Sequence, residues 1–117
     1  MVEDNDVIRA NLTETLQELA DVKVVGHADD ALGASRWLND HPEDWKLAIV
    51  DLFLRAGSGL TVLGAVRRRR ASQRVIVVSN YATPEMRARC LAAGADKVFD
   101  KSTEVEALLH YCMELGA

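Results

Sequence analysis

The stretch Leu47–Leu60, LAIVDLFLRAGSGL, decides the fold that this sequence predicts. An apolar run from Leu47 to Val50 ends at Asp51, and a loop that contains two glycines follows. A short apolar run bounded by turn residues is typical of a strand buried on both faces, as in a parallel sheet flanked by helices. Ligands bind at the carboxyl edge of such sheets, so Asp51 is a candidate site residue. Taken alone, the same pattern is also typical of a helix cap or an ordinary loop acid.

The remainder of the chain alternates between predicted strands and predicted helices. Short apolar or β-branched runs predict the end of a strand at 1–5 and further strands at 22–27, 75–79 and 97–99. Apolar residues spaced three and four apart, with their capping residues, predict five helices. These are Asp6–Ala20, a helix opened by Asp29 or Asp30 that runs through Leu38 and stops near His41, a helix from about Leu60 into Arg67–Arg70, Pro84–Gly94, and a helix with a capping box at Thr103–Glu106. Such alternation predicts a parallel, doubly wound sheet in one domain, 1–117.

Composition excludes several function classes. A net charge of −4 argues against a general affinity for nucleic acid, and the run Arg67–Arg70 is interpreted as a solvated helix end whose charge complements the helix dipole. Cys90 and Cys112 have no zinc-ligand spacing, which predicts free, buried thiols in a reducing compartment. No apolar run is long enough to cross a membrane, and no signal peptide opens the chain. We therefore expect a cytoplasmic protein without direct contact with nucleic acid or membrane.

Polar residues follow the predicted strands at the points where the strands end. They are Glu3 and Asp4 after the first strand, Asp51 after the third, Ser79 after the fourth and Lys101 after the fifth. The carboxyl ends of parallel strands share one edge of the sheet, so we expect these five side chains to lie close together. Five unrelated surface residues would be the alternative interpretation.

The chemistry of this set points to phosphoryl transfer. Three neighbouring carboxylates repel one another unless a cation neutralises them, and all-oxygen ligands suit Mg²⁺. Lys101 and Ser79 are donors for the oxygens of a phosphoryl group. Asp51 is then the natural nucleophile, because an ionised carboxylate attacks phosphorus without a base and yields an acyl phosphate.

Over essentially its whole length the sequence resembles the receiver domains of two-component response regulators. The resemblance rests on Val2-Glu3-Asp4-Asn5, on Ile49-Val50-Asp51 with Gly59 eight residues later, on Ser79, on the Gly94-Ala95 turn and on Lys101. It implies a flavodoxin-like, five-stranded sheet of order 2-1-3-4-5 with five helices. Only Met1 and Val2 precede the acid pair in this sequence, so we expect a first strand that is shorter than in the family.

The resemblance also implies roles for individual residues. Asp51 would accept a phosphoryl group from a sensor histidine kinase or a histidine phosphotransfer protein, and Ser79 and Lys101 would bind the phosphoryl oxygens. Mg²⁺ would be held by Asp51, by Asp4 with Glu3 through water, and by the backbone carbonyl of Phe53. Such a domain is not an enzyme acting on a diffusible substrate, but it promotes its own aspartyl phosphorylation and dephosphorylation. The output partner would bind the fourth helix, the fifth strand and the fifth helix.

Three positions depart from the family pattern. Many receivers have an aromatic residue three positions before the lysine, where this chain has Val98 followed by Phe99. Receivers commonly follow the lysine with a proline in a cis bond, where this chain has Ser102. Asn80 occupies a position that is usually small. We therefore expect that output does not depend on an inward-swinging aromatic ring at position 98.

Two function classes remain open. The first is a phosphorylation-dependent signalling switch, either a stand-alone regulator or the receiver of a transcription factor. The second is a receiver-like interaction module that works without phosphorylation. The intact set of Glu3, Asp4, Asp51, Ser79 and Lys101 favours the first. The sequence leaves three alternatives open: whether the receiver forms a homodimer, which kinase is its cognate donor, and whether residues precede Met1.

Overall fold

The computed structural model describes residues 1–2, 6–19, 26, 28, 30–52, 58–67, 69–70, 72–80 and 82–116. From α2 onward, the helices and strands of the described residues alternate as the sequence predicts. In chain order they are α1 Asp6–Leu19, α2 Ala31–Asp40, β1 Leu47–Asp51, α3 Gly59–Ala65, β2 Arg74–Ser79, α4 Pro84–Ala92, β3 Lys97–Asp100 and α5 Val105–Gly116. No described helix is both long and apolar enough to traverse a membrane.

The three strands form a parallel sheet in the order β1-β2-β3. Val2 extends this order beyond β1, because its N–H donates to the Ile49 carbonyl at 2.7 Å and its carbonyl accepts from the Asp51 N–H at 2.9 Å. On its other side Val2 bridges Ala28, also in parallel. Val2 therefore lies between β1 and Ala28, where the predicted order places the first strand. The predicted strand 22–27 lies outside the described residues, apart from Gly26.

Side chains from both faces of the sheet are buried, as the continuous apolar runs predict. On one face, residues such as Val50, Val77 and Val98 pack with α2, α3 and α4. On the other face, Ile49, Ile76, Val78 and Phe99 pack with Leu16 of α1 and with Leu108 and Cys112 of α5. Helices cover both faces of the sheet, so the prediction of a doubly wound α/β fold is confirmed.

Several helix termini are fixed by the residues that the sequence indicates. The Asp30 carboxylate accepts from the Gly33 N–H at 2.7 Å and caps α2. The Thr83 hydroxyl accepts from the Met86 N–H at 3.2 Å, and Pro84 then occupies the first turn of α4. Gly94 follows α4 with φ 112°, a left-handed conformation that is typical of glycine after a helix.

Two predicted helix bounds are wrong. The third helix ends at Ala65, before the arginine run, instead of continuing into Arg67–Arg70. The chain turns here and Arg69 points inward, with a side chain only 12% exposed that donates to the Gly94 carbonyl at 2.7 Å and to the Asp96 carboxylate at 2.8 Å. Arg69 is thus a largely enclosed structural residue and not part of a solvated helix end.

The second wrong bound is the start of the last helix. α5 begins at Val105, one residue later than a cap at Thr103 predicts. The Glu104 carbonyl accepts the first helical hydrogen bond, from the Leu108 N–H at 3.0 Å. The Glu104 carboxylate is engaged with the preceding strand, where it accepts from the Asp100 N–H at 3.1 Å. The capping position is therefore Glu104 instead of Thr103, and the helix starts at Val105.

Candidate functional site

Asp51 is the last residue of β1 and lies in the sheet between Val2 and Val78. Its N–H donates to the Val2 carbonyl at 2.9 Å, and the next residue, Leu52, donates to the Val78 carbonyl at 3.0 Å. Bonds to both neighbours hold the backbone firmly, and Asp51 as a whole is only 6% exposed. A carboxylate this deeply buried needs a compensating charge or several hydrogen bonds.

Lys101 provides that charge from the segment that follows β3. Its Nζ lies 2.8 Å from the Asp51 Oδ2, and the two side chains are 14% and 8% exposed. Removing one member of such a pair leaves the other charge buried and typically costs about 3–5 kcal/mol. The ammonium therefore offsets the negative charge of the carboxylate at this edge of the sheet.

Ser79 is the last residue of β2 and is fully buried. It lies opposite Asp100 in the parallel register, and its carbonyl accepts from the Lys101 N–H at 2.8 Å. The structure thus brings Asp51, Ser79 and Lys101 together at the carboxyl ends of three adjacent strands. Glu3, Asp4 and Phe53, the other predicted site residues, lie outside the described residues.

The turn that carries Lys101 is closed by its two neighbours. The Asp100 carboxylate accepts from the Ser102 N–H at 2.8 Å and from the Ser102 hydroxyl at 2.5 Å. These two bonds are the main reason that the pKa of Asp100 lies below its usual value. Asp100 is not among the site residues predicted from the sequence, although an Asp two residues before a Ser is a recognisable turn signal.

The N-terminus of α3 packs against the backbone of Asp51 and Leu52. The Gly59 N–H donates to the Leu52 carbonyl at 2.9 Å, and the Ser58 hydroxyl caps the helix by accepting from the Leu60 N–H at 3.1 Å. A Cβ on Gly59 would lie 2.5 Å from the Asp51 carbonyl oxygen and 2.8 Å from the Leu52 Cα. Only glycine permits this close approach, which explains why Gly59 follows Asp51 at this spacing.

The residues at this edge fit a hard divalent cation by the chemistry of their donors. Asp51 supplies a carboxylate, and Val2, the residue before Glu3 and Asp4 in the sequence, is hydrogen-bonded to the Asp51 backbone. Carboxylate oxygens are the ligands that Mg²⁺ prefers. In the described part of the chain, from which Glu3 and Asp4 are missing, no three His, Cys, Asp or Glu side chains cluster as a metal site.

Comparison with known proteins decides the family. A family model, the response regulator receiver domain, matches residues 1–112. This chain is a response regulator receiver domain. It therefore belongs to two-component signalling, and its flavodoxin-like fold and alternating elements are those that the sequence predicts.

The similarity extends to curated proteins and to solved structures. The receiver is 31% identical over 109 residues to the transcriptional regulatory protein PhoP of Escherichia coli K12, and the match covers 93% of this chain and 47% of PhoP. The receiver thus spans about half the length of the curated relatives it matches. It is 25% identical, with a TM-score of 0.78, to a Burkholderia pseudomallei response regulator crystallised with a phosphorylated aspartic acid, a calcium ion and citrate. That match covers 92% of this chain and 61% of the other.

A third similarity concerns the fold alone. A Staphylococcus aureus DNA-binding response regulator of the LuxR family is 19% identical, with a TM-score of 0.83 and coverage of 99% of this chain and 96% of the other. The backbone of the receiver is therefore conventional, and its individual features lie in its side chains.

Two of those features concern the departures from the family pattern. Val98 is 8% exposed and belongs to the core against α2, α3 and α4, while Phe99 packs on the opposite face, with its ring 5.8 Å from that of Tyr111. The Lys101–Ser102 peptide bond is trans, since the described residues contain no cis bond. The Asp100–Ser102 hydrogen bonds close the turn at this position.

Proposed function

We propose that this receiver is a phosphorylation-dependent switch that accepts a phosphoryl group on Asp51 from a sensor histidine kinase or a histidine phosphotransfer protein. The observation that carries the proposal is the partly buried ion pair of 2.8 Å between Asp51 and Lys101, at the carboxyl ends of β1 and β3. Ligands of parallel α/β sheets bind at this edge. Membership of the receiver family supports the same reaction.

In the proposed reaction, an oxygen of the ionised Asp51 carboxylate attacks the phosphorus of the donor. The new O–P bond forms as the P–N bond of a phosphohistidine breaks, and the imidazole leaves with the bonding electron pair. An ionised carboxylate needs no base for this attack, and the Lys101 Nζ lies 2.8 Å from the Asp51 Oδ2. The transition state of such transfers is loose, so the protein contributes mainly position and charge.

Lys101 has two successive roles in this proposal. Before transfer, the Lys101 ammonium pairs with the Asp51 carboxylate. After transfer, the ammonium would pair with an oxygen of the phosphoryl group that Asp51 then carries. Ser79, on the neighbouring strand, would donate its hydroxyl to a second phosphoryl oxygen. Removing one such donor typically costs about 3 kcal/mol of transition-state stabilisation.

Mg²⁺ would supply the positive charge that offsets repulsion between the acidic edge and an incoming phosphoryl donor. Asp51, Asp4, Glu3 through water and the Phe53 carbonyl would hold it. The chain's own part is to pair the Asp51 carboxylate with Lys101 and to hold the end of β1 in place. The ion pair with Lys101 and the backbone hydrogen bonds to Val2 and Val78 support this.

The output of the switch is also a proposal. We place it on the face formed by α4, β3 and α5, because β3 leads directly into the segment that carries Lys101. PhoP is named a transcriptional regulatory protein, and this chain covers about half of it, so a transcriptional output in the cytoplasm is one role that this receiver would serve.

The experiment is intact-mass measurement after treatment with acetyl phosphate and MgCl₂. We expect one added phosphoryl group in the wild type and none in Asp51→Asn or in the presence of a chelator. The conservative amide keeps the shape of residue 51 but is neither charged nor nucleophilic. Absence of phosphorylation in a folded wild type, or its persistence in Asp51→Asn, would favour a phosphorylation-independent interaction module instead.

A further inference from the structure

Arg87 of α4 forms hydrogen bonds with three separate segments around Lys101. Its Nε donates to the Ala82 carbonyl at 2.9 Å, and its Nη1 donates to the Val98 carbonyl at 3.2 Å. Its Nη2 pairs with the Glu104 carboxylate. Ala82 follows β2, Val98 lies in β3, and Glu104 precedes α5. The Arg87 guanidinium therefore joins the segment that follows β2 to the segment that follows β3, and both strands end at the site.

Glu104 extends these contacts to the residue next to Lys101. Its Oε1, which accepts from Arg87, also accepts from the Asp100 N–H at 3.1 Å, and the Glu104 N–H donates to the Asp100 carbonyl at 2.9 Å. Pairing with Arg87 is the main reason that the pKa of Glu104 lies below its usual value. The Asp100 carboxylate in turn closes the turn through Ser102 and accepts from the Ala82 N–H at 3.4 Å. Asp100 is thus held from both sides, and Lys101 is the next residue.

We propose that Arg87 is a positioning residue for Lys101, acting through Glu104 and Asp100 to aim the Lys101 ammonium at Asp51. The proposal rests on the proposed phosphorylation of Asp51. The guanidinium is suited to the task because its planar fork donates in several fixed directions at once, whereas a lysine ammonium at the same place is a compact charge on a flexible stem. Arg87 touches neither Asp51 nor Lys101 in any of these contacts, so its effect is exerted through the backbone of the turn.

The test compares Arg87→Ala with Arg89→Ala, a matched control on the same helix that removes the same charge from an exposed position. The rate of Asp51 phosphorylation is measured by intact mass over a range of acetyl phosphate concentrations at saturating MgCl₂. We expect Arg87→Ala to lower the maximal rate about tenfold with little change in the half-saturating donor concentration, because a misplaced Lys101 weakens the transition state. Arg89→Ala should match the wild type, and Arg87→Lys should remain close to Arg87→Ala.

A double-mutant comparison separates positioning from a general structural role. In the Lys101→Ala background, where phosphorylation is followed over long incubations, Arg87→Ala should cause no further loss, since the group it positions is gone. The amide resonances of Lys101 and Ser102 in unphosphorylated protein should shift in Arg87→Ala and stay unchanged in Arg89→Ala. Any of three results would overturn the proposal. They are a wild-type phosphorylation rate in Arg87→Ala, a wild-type rate in Arg87→Lys, and a loss of rate from Arg87→Ala that is as large in the Lys101→Ala background as in the wild type.

Failure of the proposed function would be seen separately. If the wild type takes up no phosphoryl group, the switch proposal is wrong, and the amide resonances decide the positioning role alone. Unshifted Lys101 and Ser102 resonances in Arg87→Ala would then refute it.

Discussion

Replacing Gly59 with alanine tests whether the close approach of α3 to Asp51 matters for the site. A methyl group at position 59 would lie 2.5 Å from the Asp51 carbonyl oxygen and 2.8 Å from the Leu52 Cα. Both atoms belong to the backbone, so no side chain can rotate away. Reaching an ordinary contact requires the helix and the strand end to separate by about 0.9 Å, an overpacking that typically costs about 1–3 kcal/mol.

The net effect on stability is smaller, because alanine restricts the unfolded chain more than glycine does. That gain is about 0.4–1 kcal/mol, so we expect Gly59→Ala to lower the free energy of unfolding by about 1–2 kcal/mol. The larger effect falls on the reaction. A displacement approaching 1 Å at a reacting group can cost about a hundredfold in rate, and we expect at least a tenfold slower phosphorylation of Asp51. Urea unfolding followed by circular dichroism gives the first quantity, and intact mass over time gives the second.

Gly64→Ala is the matched control in the same helix. Among the described residues, nothing beyond the neighbouring backbone of α3 lies within 4 Å of a Cβ at this exposed position. Alanine should therefore raise the free energy of unfolding by about 0.5–1 kcal/mol and leave phosphorylation unchanged. If Gly59→Ala proved as stable as Gly64→Ala and as fast as the wild type, the close contact between α3 and Asp51 would have no functional importance.

Three further predictions follow from the electrostatics and burial of other residues. Arg69→Ala should lower the free energy of unfolding by about 2 kcal/mol in a urea titration, because it leaves the Asp96 carboxylate and the Gly94 carbonyl without the guanidinium. Arg70→Ala breaks the ion pair with Glu43, in which both side chains are 63% exposed, and should lower it by under about 1 kcal/mol. Equal losses in the two variants would contradict this. Burial raises the pKa of Cys112 to about 11 and also raises the pKa of Cys90. Both thiols should therefore resist iodoacetamide in the native protein at mildly alkaline pH and react with it in urea. Rapid labelling of the native protein would refute this. Arg87 lowers the pKa of Glu104 below its ordinary value of 4.5, so this carboxylate stabilises the fold above that pH, and the stabilisation is lost as the pH falls through its folded-state pKa. Glu104→Gln should therefore have a lower melting temperature than the wild type at neutral pH, and the difference should disappear in acid. A difference that persisted in acid would contradict the ionic contribution.

The fold was predictable because local patterns and global topology agree in this chain. The apolar runs that end at Asp51 and Ser79 are short and continuous, and both are buried strands in the structure. Capping signals at Asp30 and Thr83 mark helix starts that the structure contains. Once parallel strands are established, their carboxyl ends must share an edge, and this is why Asp51 and Lys101, 50 residues apart, could be placed together from sequence.

The arginine contacts were not predictable because they depend on distances between segments far apart in the chain. Arg69 lies in a run of four arginines, which local rules interpret as a solvated helix end, yet its partner Asp96 is 27 residues away. Arg87 has an ordinary helical position, and only the folded chain shows that Ala82, Val98 and Glu104 surround it. No periodicity or motif encodes which of several arginines turns inward.

The most direct test of the central claim is to locate the phosphoryl group within the chain. The receiver is treated with acetyl phosphate and MgCl₂, reduced with borohydride and digested, and the peptides are sequenced by mass spectrometry. Borohydride reduces an acyl phosphate to an alcohol, so we expect homoserine in place of Asp51 and intact aspartate at Asp96 and Asp100. Homoserine at another acidic residue, or unmodified Asp51 in a folded and fully treated receiver, would contradict the assignment of Asp51 as the phosphoacceptor.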